Sequence, residues 1–94
     1  MEKELEIIRR KVPELSDKLA HSITKVMQSL RNMDLQKKPG IAETIDWSMA
    51  LLHLGTSTLS GENILDTAGT ILKHRDDITL ISNLNLDSLL SDEG

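Results

Sequence analysis

Between Leu19 and Met33 the apolar residues Leu19, Ile23, Val26, Met27, Leu30 and Met33 recur at intervals of three and four. That spacing places them on one face of a helix about four turns long. Ser16 stands where an N-cap is wanted, its hydroxyl able to accept from the first unbonded amides. An apolar stripe of this length needs other elements to cover it, and the flanking sequence supplies them in the same period. From Glu2 to Val12, Leu5, Ile8 and Val12 repeat at three- and four-residue steps with Ile7 beside them, and Pro13 then closes the helix. A proline has no N–H to continue the ladder and clashes with the preceding turn.

Downstream, Asn32 to Gly40 collects Asn, Asp, two Lys, Pro and Gly, which predicts a loop over Leu35 to Gly40. A third helix follows, with Ile41, Ile45, Met49 and Leu52 on one stripe and Trp47, Leu51 and Leu54 on another. Apolar around much of its circumference, it is expected to be the most buried element. Gly55 suits the left-handed position after its end. Ser60 is the expected N-cap of a fourth helix carrying Ile64, Leu65, Ala68, Ile71 and Leu72, weakened by Gly69, with Lys73, His74 and Arg75 in its last turn and Asp76 and Asp77 at its exit. The leucine-rich remainder from Ile78 to Leu90 is expected to dock on the bundle as a partly helical tail, and residues 91–94 to fray. The fold class that follows is all-α: a single helical domain over 1–94, a small bundle of four to five helices.

Composition narrows the function classes. The chain has no Cys, no Phe, no Tyr and one Trp, so aliphatic side chains fill the core and neither a disulfide nor a thiolate site is available. The formal charge of −4 and the lack of aromatic platforms argue against nucleic acid as a partner. No apolar run of about 18 residues is present to span a bilayer, and the mixed-charge start is unlike a signal peptide, so no membrane partner and a cytoplasmic location are expected. Charge is unevenly divided, with +3 over residues 1–40 and −7 over residues 41–94, as two faces meeting different neighbours would show.

No phosphate-binding Gly-x-x-x-x-Gly-Lys loop occurs and nothing is placed to hold magnesium, so this chain by itself has no route to nucleotide hydrolysis and no catalytic residue is assigned. His21, His53 and His74 lack the paired spacing of a metal site, and none is assigned. Glu43 and Asp46 are three apart on the opening turn of the third helix and invite reading as a catalytic pair, but acidic side chains there ordinarily complement the helix N-terminus.

The informative stretch is Lys37 to Gly55: Lys-Lys-Pro-Gly-Ile-Ala-Glu-Thr-Ile-Asp-Trp-Ser-Met-Ala-Leu-Leu-His-Leu-Gly. It resembles the C-terminal helical lid of MoxR-type AAA+ ATPases, in the CoxD-like subgroup whose lid reads Lys-Pro-Pro-Gly-(Val/Ile)-Ala-Glu-Thr-(Leu/Ile)-Asp-Trp. The run from Pro39 through Trp47 is the specific part. Thr67 to Asp77 is similar to that family's closing lid helix, which ends in a Leu-Lys-His/Tyr-Arg/Glu-Glu/Asp-Asp run, and Glu6 to Pro13 to the segment joining the ATPase core to its lid.

The resemblance implies a piece of a longer protein, with residues 1–13 as the junction helix and an α/β core of about 200 residues elsewhere that carries the nucleotide motifs. ATP and Mg would belong to that parent, an ATPase by family, with nothing expected to bind tightly to this chain. The implied partners are its own ATPase core domain, neighbouring subunits in a ring, and a von Willebrand A-type partner protein. Related lids place an arginine, sensor 2, at the start of the corresponding helix. Here Pro39, Gly40, Ile41, Ala42 and Glu43 form that turn, expected to lie near nucleotide without the arginine. Arg9, Arg10, Trp47, Arg75 and Asp76 are the expected interface residues, with Trp47 packing the lid's own core or the ATPase core in preference to stacking on adenine. A different reading of the same chain is a free-standing helical protein-interaction module, its groove formed by the stripe of the third helix and the leucine-rich tail.

Overall fold

The computed structural model describes residues 2–90; the expected fraying of residues 91–94 lies outside the described residues. Six α-helices follow one another: α1 (Glu2–Lys11), α2 (Asp17–Arg31), α3 (Ile41–His53), α4 (Gly61–Asp66), α5 (Ala68–Ile71) and α6 (Arg75–Ser82), and a 3-10 turn covers Leu86–Leu90. Among the described residues there is no strand. The class is all-α, as periodicity requires.

Local chemistry sets most boundaries. The chain leaves α1 at Pro13 after Val12 N–H bonds Ile8 O at 2.7 Å, and Arg9, Arg10 and Lys11 lie against the negative end of the helix dipole. Ser16 caps α2 by accepting from Leu19 N–H at 3.1 Å. At the end of α3, Gly55 takes φ 70°, while its N–H bonds Leu52 O and that of Thr56 bonds Leu51 O, both at 3.0 Å. This is a Schellman closure, and only glycine enters it without a Cβ penalty. Ser60 caps α4, with Asn63 reaching back to the Ser60 N–H at 2.7 Å. The Asp87 carboxylate accepts from Gly61 N–H at 2.6 Å and ties the 3-10 turn to α4. A Cβ on Gly61 would stand 3.1 Å from the Asp87 backbone nitrogen, so a larger residue there would push the 3-10 turn back by a few tenths of an ångström.

α2 lies at the centre. Leu19, Ala20, Ile23, Thr24, Val26, Met27 and Leu30 are all buried on it, more than on any other described helix. α1 packs on one side of it, α3 on another, and the 3-10 turn against α2 and α4. Met33 falls beyond the helix end and is half-buried.

Three expectations change. The third helix is not the most buried element: its covered face is Thr44, Trp47, Ser48 and Leu51, whereas Ile41 and Met49 are 42% and 44% exposed and Leu54 68%. The hydroxyls fit inside because each donates, Ser48 to the carbonyl of Thr44 and Thr44 to Glu4. The single fourth helix is divided into α4 and α5 at Thr67, whose backbone stands at φ −106°, ψ 7°. Thr67 Oγ1 donates to Asn63 O at 2.6 Å and accepts from the Trp47 indole at 2.7 Å. Finally, Lys73, His74 and Arg75 are not a last turn, and Asp76 and Asp77 mark an entry rather than an exit. Leu72 and His74 are extended, at ψ 126° and 133°, and Arg75 to Asp77 open α6. The break lets Asp77, 2% exposed, reach the loop before α3, where its carboxylate accepts from Gln36 N–H at 2.7 Å and Lys37 N–H at 3.1 Å.

Candidate functional site

Three features converge at the start of α3. Gly40 is its N-cap, in extended conformation at φ −99°, and Pro39 before it is buried, while Gly40, Ile41 and Ala42 are exposed. A helix start of this kind leaves amide donors without intrahelical partners. The first of them is already engaged: Glu43 turns back and its Oε1 accepts from Gly40 N–H at 2.7 Å. Gly40 has no side-chain oxygen to return the bond, so the cap is half of the usual reciprocal box. The Gly40 N–H holds the Glu43 carboxyl below the usual glutamate value; slight burial opposes it, and its own backbone N–H and the charges of Lys73 and Lys37 assist.

Beneath this turn lies a buried ionic cluster that the sequence pattern did not reveal. Glu4, 4% exposed, receives Arg31 through both guanidinium arms, Nη1 to Oε1 at 2.6 Å and Nη2 to Oε2 at 2.8 Å. Thr44 donates to Glu4 Oε2 at 2.5 Å, and Gln28 Nε2 to Oε1 at 3.3 Å. Arg31 Nη2 also donates to Thr44 Oγ1 at 3.1 Å and Nε to Pro39 O at 2.7 Å. Burial pushes the Glu4 carboxyl up, but the bonds from Arg31 and Thr44, the Arg31 charge and the bond from Gln28 outweigh it, and the group sits below its ordinary value. Arg31 is raised by its hydrogen bonding to Glu4, against desolvation and with attraction from Glu4 and Glu43.

One signal for this cluster was present in the sequence. Glu4 stands four residues before Ile8, on the buried stripe of α1, where an acidic residue needs a partner. Nothing local identifies Arg31, 27 residues away, or Thr44, 40 away.

The remaining expected site residues separate into groups. Pro39, Gly40, Ile41, Ala42 and Glu43 form the one continuous turn. Arg9 and Arg10 are exposed on α1, with Arg9 Nε 3.2 Å from Asp17 Oδ1, a surface pair of small energetic weight. Arg75 and Asp76 are exposed at the start of α6. Trp47 does not stand with them. Its side chain has no exposed surface and its indole N–H is bonded to Thr67, so it fills the chain's own core. Asp46 is exposed and makes no pair with Glu43, which is committed to Gly40.

Elsewhere a groove of about 500 Å³ runs along the N-terminal half of α2, with Lys18, His21 and Lys25 on one wall and Leu59 on the other. Lys25 Nζ donates to Leu90 O at 3.5 Å. Among the described residues no group of three His, Cys, Asp or Glu is arranged to hold a metal, and no helix is long and apolar enough to cross a membrane. No protein-family model, curated protein or solved structure matches the chain.

Proposed function

We propose that the chain is the C-terminal helical lid of a MoxR-type AAA+ ATPase, acting in the cytoplasm and linking the nucleotide state of its own core domain to contacts with neighbouring subunits and to remodelling of a partner protein. The observation that carries this reading is the Pro39–Trp47 run. Its family-like residues form one piece of structure, an exposed turn at Gly40–Ala42 followed by a helix that buries Thr44 and Trp47.

In this reading the turn faces ATP and Mg held by the parent's core and senses their presence while contributing little binding itself. The chemistry of the turn supports that division. The Gly40 amide is satisfied by Glu43, so a phosphate arriving at the α3 N-terminus finds one donor fewer and a resident carboxylate that repels it. The Arg31 guanidinium, the nearest arginine beneath the turn, is spent on Glu4, Thr44 and Pro39. The lid rotates as a rigid body about the junction preceding α1, changing how its charged faces meet the next subunit. The remaining partner would be a von Willebrand A-type protein.

Two measurements test the reading. Titration of this chain with ATP should give no tight, phosphate-dependent binding; tight binding would remove the division of labour between core and lid. The coding sequence upstream of Met1 should encode a phosphate-loop ATPase core in the same frame, and a stop codon just before Met1 would sink the proposal.

One observation favours the second reading, a helical interaction module independent of any ATPase. Ile41 and Met49 are exposed, while Ile45 and Leu52 are half-buried and pack against the core, so among the described residues the stripe on α3 is only partly covered. The tail does not join it in a groove, because the 3-10 turn docks chiefly on α2 and α4. The same upstream reading frame separates the two.

A further inference from the structure

We infer that Arg31 is a positioning residue in a Glu4–Arg31–Thr44 cluster that couples α1 to the Pro39–Glu43 turn, so that displacement of either is felt by the other. Its planar fork makes connections in two directions. Toward α1 it holds both oxygens of Glu4, at 2.6 and 2.8 Å; toward the turn it donates to Pro39 O at 2.7 Å and to Thr44 Oγ1 at 3.1 Å. Thr44 closes the circuit by donating to Glu4 Oε2 at 2.5 Å. No member moves alone without stranding a buried polar group, since Glu4 is 4% exposed and Thr44 has no exposed surface. A lysine offers a single ammonium in place of the fork and loses the paired contact with both Glu4 oxygens.

The cluster therefore moves as a unit or opens as a unit, and this makes it a mechanical link where ordinary apolar contact between α1 and α3 would allow sliding. Use of this link to carry nucleotide state into the junction helix rests on the lid reading. The coupling itself does not, and its test needs neither nucleotide nor an ATPase core.

The experiment is amide hydrogen exchange, read residue by residue by NMR on the whole 94-residue chain, for Glu4→Gln and separately for Thr44→Val. The reporters of the turn are Gly40 N–H, bonded to Glu43, and Thr44 N–H, bonded to Gly40 O at 3.1 Å. Val12 N–H reports α1, and the distant references are Ile64 N–H on Ser60 O and Leu72 N–H on Ala68 O. Glu4→Gln, made in α1, should accelerate exchange at Gly40 and Thr44 about tenfold beyond any factor shared with Ile64 and Leu72. Thr44→Val, made in α3, should do the reciprocal to Val12, as coupling between two sites requires. Acceleration confined to the substituted helix in each variant would overturn the inference. So would a common factor at all five amides, which would mean that the cluster adds general stability and no specific link.

Discussion

Glu4 holds a charge inside a small aliphatic core, and its partners decide how the chain responds to acid. Its carboxyl sits below the ordinary glutamate value in the folded chain, and that value is about 4.3 when unfolded. Between the two, the unfolded chain binds the proton and the folded chain does not. Stability from Glu4 is therefore fully present above the unfolded value and is lost as pH falls through the folded one. Urea midpoints should fall below about pH 5, and Glu4→Gln should flatten part of that fall while lowering stability at pH 7 by about 1–3 kcal/mol, because the half-buried Arg31 is left beside a neutral partner. A variant with the wild-type acid slope would show that Glu4 is not the responsible group. Trp47 offers a second residue-level test. Thr67→Val strands a buried indole N–H and removes the donor to Asn63 O, at a cost of about 1–3 kcal/mol. The Trp47 emission of the wild type should be that of dry surroundings, and the Thr67→Val chain should melt several degrees lower with the same emission before the transition. A solvent-like wild-type emission would contradict the burial of the ring.

At the scale of elements, the instructive place is the chain between Ile64 and Ile81. Helical spacing continues through Ile64, Leu65, Ala68, Ile71 and Leu72, and by that criterion alone one helix is expected. Two interactions interrupt it. Thr67 serves Trp47 from a neighbouring helix, and Asp77 serves the loop at Gln36 and Lys37, 41 and 40 residues earlier in the chain. The extended step at Leu72 and His74 buries Ile71, Leu72 and Asp77 together, which an unbroken helix would distribute around its circumference. Asp77→Ala should raise amide exchange at Gln36 and Lys37 specifically and cost about 1–3 kcal/mol, since two backbone donors lose a carboxylate although water can partly replace it. Unaltered exchange at those two amides would mean that the loop before α3 is held by its buried Leu35 and Pro39 instead. The same loop delivers Pro39 to Arg31, so the candidate site depends on the break in the helical pattern some thirty residues downstream.

For the whole molecule the uneven charge is the property that a ring assembly would use. The basic residues Arg9 and Arg10 lie exposed on α1, and the acidic Asp76 lies exposed at the start of α6. Under the lid proposal these meet adjacent subunits head to tail. Charge reversal at Arg9, Arg10 or Asp76 in the complete protein should change assembly or ATPase rate, most strongly at low salt, where exposed charges act over longer distances. Unchanged assembly and rate in all three would count against the contact. Within this chain such reversals should alter stability by less than about 1 kcal/mol, Arg9 included, because its pair with Asp17 is solvent-exposed on both sides.

Much of the molecule was determined by the sequence by itself. The all-α class, the stop at Pro13, the caps at Ser16 and Ser60 and the left-handed Gly55 each depend on residues within about one turn of one another, where sterics and unsatisfied amides act at short range. The position of the Pro39–Glu43 turn at the start of α3 was legible for the same reason. What only the tertiary structure decided is which faces are covered and which polar groups meet. Period alone made α3 apolar on two sides, and burial selected the face of Thr44, Trp47, Ser48 and Leu51 because Thr67, Glu4 and the helix's own carbonyls could satisfy its polar atoms. Glu4, Arg31 and Thr44 come together from three helices, and Asp77 reaches back from a fourth. An ion or hydroxyl removed from water is stable only where partners converge, and that convergence is a property of the packed chain.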